Sequence, residues 1–134
     1  MAVRLSKPVF RYIETELYNY DYTKRKLEEV KRDIIAAAPI PSAGSKTAVA
    51  DPTASKAGKL LSNRTICRME ETLASIDRAL QLVDDDHRTL FELYYRQGLR
   101  WRKVCDTMPT SRATFFRLRD QLVAMTALQM GHES

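Results

Sequence analysis

Apolar side chains recur every three or four residues along most of the chain, and this period predicts an all-α protein. Two long amphipathic helices are predicted first, at 1–37 and at 52–83. The apolar positions of the first helix are Ile13, Leu17, Tyr20, Leu27, Val30 and Ile34. Those of the second helix are Ile66, Met69, Leu73, Ile76, Leu80 and Val83. The pattern fits an antiparallel pair within one chain and equally a coiled coil between two copies.

The segment between these helices has a different composition. It is rich in Ala, Pro, Ser and Gly and has no apolar period, so we expect a flexible linker at 38–51. Asp51 followed by Pro52 marks the start of the second helix, because an Asp N-cap suits a proline at the first helical position.

A third apolar pattern predicts a domain of three shorter helices at 84–131. The first of them runs from Asp84 to Gln97 and ends at Gly98, since glycine favours the left-handed conformation that closes helices. The second covers Arg102 to Met108 and stops before Pro109, which disfavours helical geometry in the residue before it. Ser111 is predicted to cap the last helix. The apolar stripe of that helix is Phe115, Leu118, Leu122 and Met125. Two short helices joined by a tight turn predict a helix-turn-helix, whose last helix suits a DNA major groove.

Positive charge is concentrated in this last part of the chain. The stretch from Arg96 to Asp120 holds seven cations against two anions, which equals the net charge of +5 of the whole chain. A basic patch on a compact motif is typical of proteins that bind nucleic-acid backbones. A solvated cationic face is the alternative interpretation.

Other chemistry finds little support in the sequence. Cys67 and Cys105 stand apart from each other, as do His87 and His132, so we expect no metal site. There is no activated nucleophile, carboxylate pair or phosphate-binding glycine loop, so we expect neither an enzyme nor a cofactor. The N-terminus does not read as a signal peptide and no segment reads as a membrane span, so we expect a cytoplasmic protein that does not enter membranes.

Several short motifs resemble known families. The first set, which resembles region four of bacterial sigma factors, is Gly98-Leu99, Val104-Cys105 and Ser111-Arg112-Ala113-Thr114-Phe115. The second set, which resembles the RinA/ArpU-type phage transcriptional activators, is Asp51-Pro52-Thr53, Ile76-Asp77, Leu93-Tyr94-Tyr95 and Thr114-Phe115-Phe116-Arg117-Leu118-Arg119. The resemblance implies a fold of two long amphipathic helices followed by a three-helix, sigma region-four-like helix-turn-helix. It also implies a phage or prophage regulator in a Gram-positive host that activates late genes for packaging and morphogenesis. Arg100 and Phe116 depart from the sigma pattern.

The helix-turn-helix interpretation assigns roles to ten residues. Those expected to contact bases are Arg112, Ala113, Phe116, Arg117 and Asp120. Those expected to contact phosphates are Arg100, Arg102, Lys103, Ser111 and Arg119. Arg117 is the candidate for a bidentate guanine contact. Asp120 could accept from a cytosine amino group or hold a neighbouring arginine in place.

The predicted partners follow from the same interpretation. They are double-stranded DNA, RNA polymerase, and a second copy of the chain paired through the long helices. Two other functions fit the same elements. One is a packaging adaptor resembling a small terminase subunit, which would form a ring. The other is a protein-interaction module that acts on RNA polymerase or a sigma factor.

Overall fold

The computed structural model describes residues 5–37 and 52–132, with side chains described for 5–36 and 63–132. Within these ranges every regular element is helical, which confirms the predicted all-α class. Six α-helices are described there: α1 (Lys7–Tyr18), α2 (Tyr20–Ala37), α3 (Pro52–Leu82), α4 (Asp85–Leu90), α5 (Trp101–Thr107) and α6 (Arg112–Gln129). A π-helical segment, Phe91–Arg96, continues α4 without a gap. The linker expected at 38–51 and the N-cap expected at Asp51 lie outside the described residues.

The sequence predicted one continuous first helix, but the structure divides it at Asn19 into α1 and α2. This residue leaves helical geometry, with φ −90° and ψ 7°. Its amide still donates to the carbonyl of Thr15 at 3.0 Å, so the interruption is confined to one residue. Asparagine favours such breaks because its side chain competes for backbone hydrogen bonds. Beyond the break, Tyr20 is buried and donates to Asp77 Oδ1 on α3 at 2.7 Å.

The helix predicted from Asp84 to Gln97 also changes geometry on the way. Its first six residues form α4, and the rest form the π-helical segment, in which the Gln97 amide donates to the Glu92 carbonyl five residues back. The segment packs against both α1 and α5. Gly98 has φ +72° and ends the helix, as predicted.

Helices α2 and α3 form an antiparallel pair within the chain. The Tyr20–Asp77 hydrogen bond joins the start of α2 to the second half of α3. Further along α2, Lys31 Nζ lies 3.4 Å from Glu70 Oε1, which is earlier in α3. The order of these contacts is reversed between the two helices. The structure thus gives one of the two arrangements that the sequence left open.

Helix α6 lies at the centre of the fold, in contact with α1, α3, α4 and α5. Its buried residues are Phe115, Leu118, Leu122, Val123, Thr126 and Ala127. Met125, predicted to belong to the apolar stripe, is only half-buried. Thr126 is fully buried instead, and its hydroxyl is satisfied by donating to the Leu122 carbonyl at 2.8 Å. None of the described helices is both long enough and apolar enough to cross a membrane.

Candidate nucleic-acid interface

The turn between α5 and α6 has the geometry that its residues predict. Met108 leaves α5 in an extended conformation, one residue before Pro109. Ser111 occupies the N-cap of α6, where its Oγ accepts from the Thr114 amide at 3.1 Å. The same hydroxyl also contacts Thr114 Oγ1 at 2.9 Å. The predicted N-cap at Ser111 is confirmed, and α5 covers Trp101–Thr107, so that it begins and ends one residue earlier than predicted.

The outward face of α6 carries most of the residues expected to contact bases. Arg112, Ala113, Arg117 and Asp120 are all exposed. Their spacing puts them on the side of the helix opposite Phe115, Leu118 and Leu122, which are buried. Because no described element covers them, these side chains are available to a partner.

Phe116 differs from the rest of that set, because it is half-buried. Its ring packs against Phe115, with centroids 5.0 Å apart, and against Trp101 on α5, with centroids 5.9 Å apart. The Arg112 guanidinium lies over both Trp101 and Phe116, at 5.2 Å and 5.6 Å from the ring centroids. Arg102 lies over Trp101 at 5.4 Å. These cation–π contacts hold two arginines near the starts of α5 and α6.

Four of the five residues expected to contact phosphates are exposed at the beginning of α5 or α6: Arg100, Arg102, Lys103 and Ser111. Arg119 is different, since its side chain is only 23% exposed and forms an ion pair with Asp120 at 2.8 Å. Its guanidinium also lies over the Phe10 ring of α1 at 5.1 Å and over the Phe116 ring at 4.9 Å. In this structure Arg119 therefore links α1 to α6, and Asp120 balances its charge.

The basic stretch consequently presents fewer free charges than its composition suggests. Arg96 is held by Asp21 at 3.1 Å and by Glu92 at 2.9 Å. Within the stretch from Arg96 to Asp120, the cations that are exposed and have no ion pair among the described residues are Arg100, Arg102, Lys103, Arg112 and Arg117. All five lie on or next to α5 and the first half of α6.

A groove of about 870 Å³ runs along the outward face of α6. Its lining includes the predicted base-contacting residues Ala113 and Arg117. It also includes Leu82 and Leu128, which are 61% and 43% exposed. His87 joins α4 to α6 within this groove, with Nε2 2.8 Å from Gln121 Oε1.

A second concavity, which sequence reasoning missed, lies beside the start of α5. This cleft, named here the Tyr18 cleft, has a volume of about 470 Å³ and is lined by Tyr18, Tyr94, Gly98, Leu99, Arg100, Trp101 and Arg102. Tyr18 comes from α1, distant in sequence from the other lining residues. The sequence signal that could have found it is the concentration of tyrosines in the first helix, at Tyr12, Tyr18, Tyr20 and Tyr22.

Within the described residues, no group of three or more His, Cys, Asp or Glu side chains is placed to hold a metal ion. Comparison of the chain with protein-family models, with curated proteins and with solved structures gives no match.

Proposed function

We propose that this protein is a sequence-specific, double-stranded DNA-binding regulator of transcription, and that α5 and α6 are its helix-turn-helix. The observation that carries the proposal is the exposed face of α6 with Ala113 and Arg117, flanked by four further exposed cations that have no carboxylate partner in the described chain. Small, polar and cationic groups on an accessible helix suit base edges, and unpaired cations beside it suit phosphates.

The proposal divides the contacts between two kinds of readout. Arg117 is exposed and bears no ion pair among the described residues, so it is free to form a bidentate contact with guanine. Ala113 can approach a thymine methyl group. Arg100, Arg102 and Lys103 would fix the protein on the backbone, as the first helix of such motifs commonly does. Phe116 and Arg119 are engaged within the fold, so their contributions would be mainly to position the others.

The regulatory role extends this proposal. Helix α6 has 18 residues and is about 27 Å long, so only its first half would enter the major groove. The apolar part of the groove that the exposed Leu82 and Leu128 form would remain outside the duplex. We propose that it meets RNA polymerase, in keeping with the resemblance to phage late-gene activators. A second copy of the chain is the other candidate for this surface, because the seam between α2 and α3 is already used within the chain.

Selection of bound duplexes from a random pool tests the proposal directly. We expect enrichment of a short sequence, and a palindromic site would indicate a dimer. The Arg102 and Arg112 guanidinium groups both lie over the ring of Trp101, the single tryptophan of the chain, so its fluorescence provides a titration signal without labels. No enrichment, together with no duplex binding at low salt, would contradict the proposal and favour the packaging or interaction functions.

Arg117→Ala is the sharpest variant for the base-reading role. We expect it to cost about 1–3 kcal/mol on the selected site and to relax base preference at one position. Arg64→Ala on α3 is the matched control, because Arg64 is also exposed but lies outside α5 and α6. Unchanged affinity and unchanged base preference in Arg117→Ala would exclude α6 as the reading helix.

A further inference from the structure

We propose that the Tyr18 cleft binds a backbone phosphate of the duplex, with the Tyr18 hydroxyl as a hydrogen-bond donor and Arg100 and Arg102 as the balancing charges. This inference rests on the proposed function and extends the DNA-contacting surface to α1. It gives a role to Tyr18, which is not among the ten residues assigned from the sequence.

The lining of the cleft matches the chemistry of a phosphodiester. Two guanidinium groups and two phenol groups line it, and no carboxylate is among its lining residues. The groove along α6, by contrast, includes Asp84 and Asp120. Gly98 opens one side of the cleft, since a Cβ at this position would meet nothing within 4 Å among the described atoms. The arginines of the cleft wall therefore face no carboxylate in the wall itself, and the nearby Glu14, whose charge reaches Tyr18, is engaged by the Tyr95 hydroxyl.

Tyr18 is held in place by other aromatic rings while remaining accessible. Its ring centroid lies 4.8 Å from that of Tyr95 and 5.7 Å from that of Tyr94. Tyr95 is itself fixed, because its hydroxyl donates to Glu14 Oε2 at 2.8 Å. Tyr18 nevertheless remains 45% exposed. Partial burial, followed by a hydrogen bond with the Tyr94 hydroxyl and by the charge of Glu14, raises the pKa of Tyr18.

The position of the cleft fits the path that a backbone would follow. Arg100 and Arg102 lie at the start of α5, and Trp101 between them connects through Arg112 to the start of α6. In a helix-turn-helix the helix before the reading helix crosses the backbone. A duplex that accepts α6 in its major groove would then pass the mouth of the Tyr18 cleft. Tyrosine hydroxyls are among the common phosphate donors in such complexes.

The test uses the full chain and the duplex selected above. Tyr18→Phe removes only the hydroxyl and keeps the ring contacts, so we expect binding about two- to tenfold weaker. Its salt dependence should match that of the wild type, because a neutral donor releases no counterion. Arg102→Gln should instead make the negative slope of log K against log salt shallower by about 0.9. Equal thermal unfolding of Tyr18→Phe and wild type checks that the fold is kept.

Tyr22→Phe on α2 is the matched control, because Tyr22 is 58% exposed and does not line the cleft. It should bind like the wild type. If Tyr18→Phe also binds like the wild type, the phosphate assignment is wrong. The same conclusion follows if only Tyr18→Leu weakens binding, which would indicate base stacking on the ring. Absence of duplex binding by the wild type would instead contradict the proposed function itself.

Discussion

Single polar side chains connect α1 to the rest of the molecule. Tyr95 is 2% exposed and donates to Glu14, which lies on α1. A buried hydroxyl needs such a partner, because an unsatisfied polar group in the interior costs about 1–3 kcal/mol. Burial, followed by the charge of Glu14 and its hydrogen bond, raises the pKa of the Tyr95 hydroxyl well above its ordinary value of 10.0. The contact therefore depends on Tyr95 remaining protonated.

This contact predicts a loss of stability at high pH. The pKa of Tyr95 is raised in the folded state, so its contribution to the free energy of unfolding is fully present below its ordinary pKa of 10.0. That contribution is lost progressively as the pH rises above the pKa that Tyr95 has in the unfolded chain. Tyr95→Phe should lower the free energy of unfolding at pH 7 by about 1–2 kcal/mol, because Glu14 loses its donor. Urea midpoints at pH 7 and pH 11 check this. The variant should lose less stability between the two pH values than the wild type, and an equal loss would contradict the role of Tyr95.

The sequence predicted the role of a residue only where its interaction partner lies a few positions away along the chain. Ser111, Pro109 and Gly98 act on backbone groups a few residues distant, so local chemistry was enough to predict their roles. Arg96 and Arg119 could not be assigned in the same way. Their partners include Asp21 and Phe10, which only the fold brings close. The count of cations consequently overstated the free charge of the basic stretch.

At the scale of elements, α6 depends on the hydrogen bonds at its first turn. The first amides of a helix have no partner within it, and Ser111 satisfies that of Thr114. The cap also sets where α6 begins, and with it the direction in which Arg112 and Ala113 leave the backbone. The geometry of this one turn therefore determines how the outward face is presented.

Ser111→Ala tests the importance of this cap. We expect it to lower the free energy of unfolding by about 0.5–2 kcal/mol and to weaken binding to the selected duplex. Ser111→Asn is the control, because asparagine caps helices about as well as serine. Chemical denaturation followed by circular dichroism measures both variants. A Ser111→Ala variant as stable as the wild type, or an equally destabilised Ser111→Asn, would show that the cap contributes little.

Helix ends were more predictable than changes within helices. The start of α6 and the end at Gly98 follow from residues with strong local preferences. The break at Asn19 and the π-helical segment do not, since a residue with weak helix propensity often stays helical. Both irregularities occur where aromatic side chains meet other helices, as Tyr20 does with Phe91 at 5.4 Å. Tertiary packing determines where these two irregularities occur, and a single sequence does not show which helices pack together.

For the molecule as a whole, the main consequence is that α2 and α3 use their apolar seam within one chain. Leu27, Leu73 and Ile76 are all buried without a second copy. The sequence predicted the two amphipathic helices but could not choose their partner, because the same pattern serves both arrangements. A stable dimer through this seam would require the two helices to separate first.

Cross-linking can show whether the pair forms within one chain in solution. Lys31→Cys and Glu70→Cys, made in a Cys67→Ser and Cys105→Ser background, place thiols at a pair of side chains in contact across α2 and α3. A short bismaleimide should join them within one chain, giving a monomer of altered mobility on a denaturing gel. The single-thiol variants are the controls and should give no such species. A cross-linked dimer as the main product would mean that the helices pair between chains.

The number of residues in the π-helical segment Phe91–Arg96 determines the direction in which α5 and α6 leave it. Each residue of an α-helix turns the chain by about 100°, so a version one residue shorter could form a regular helix while swinging α5 and α6 around its axis. Insertion or deletion of one residue in this segment should therefore change the direction of α5 and α6 relative to the helices before it. A relative that differs in length here would have redirected its α6, even where every residue of that helix is unchanged.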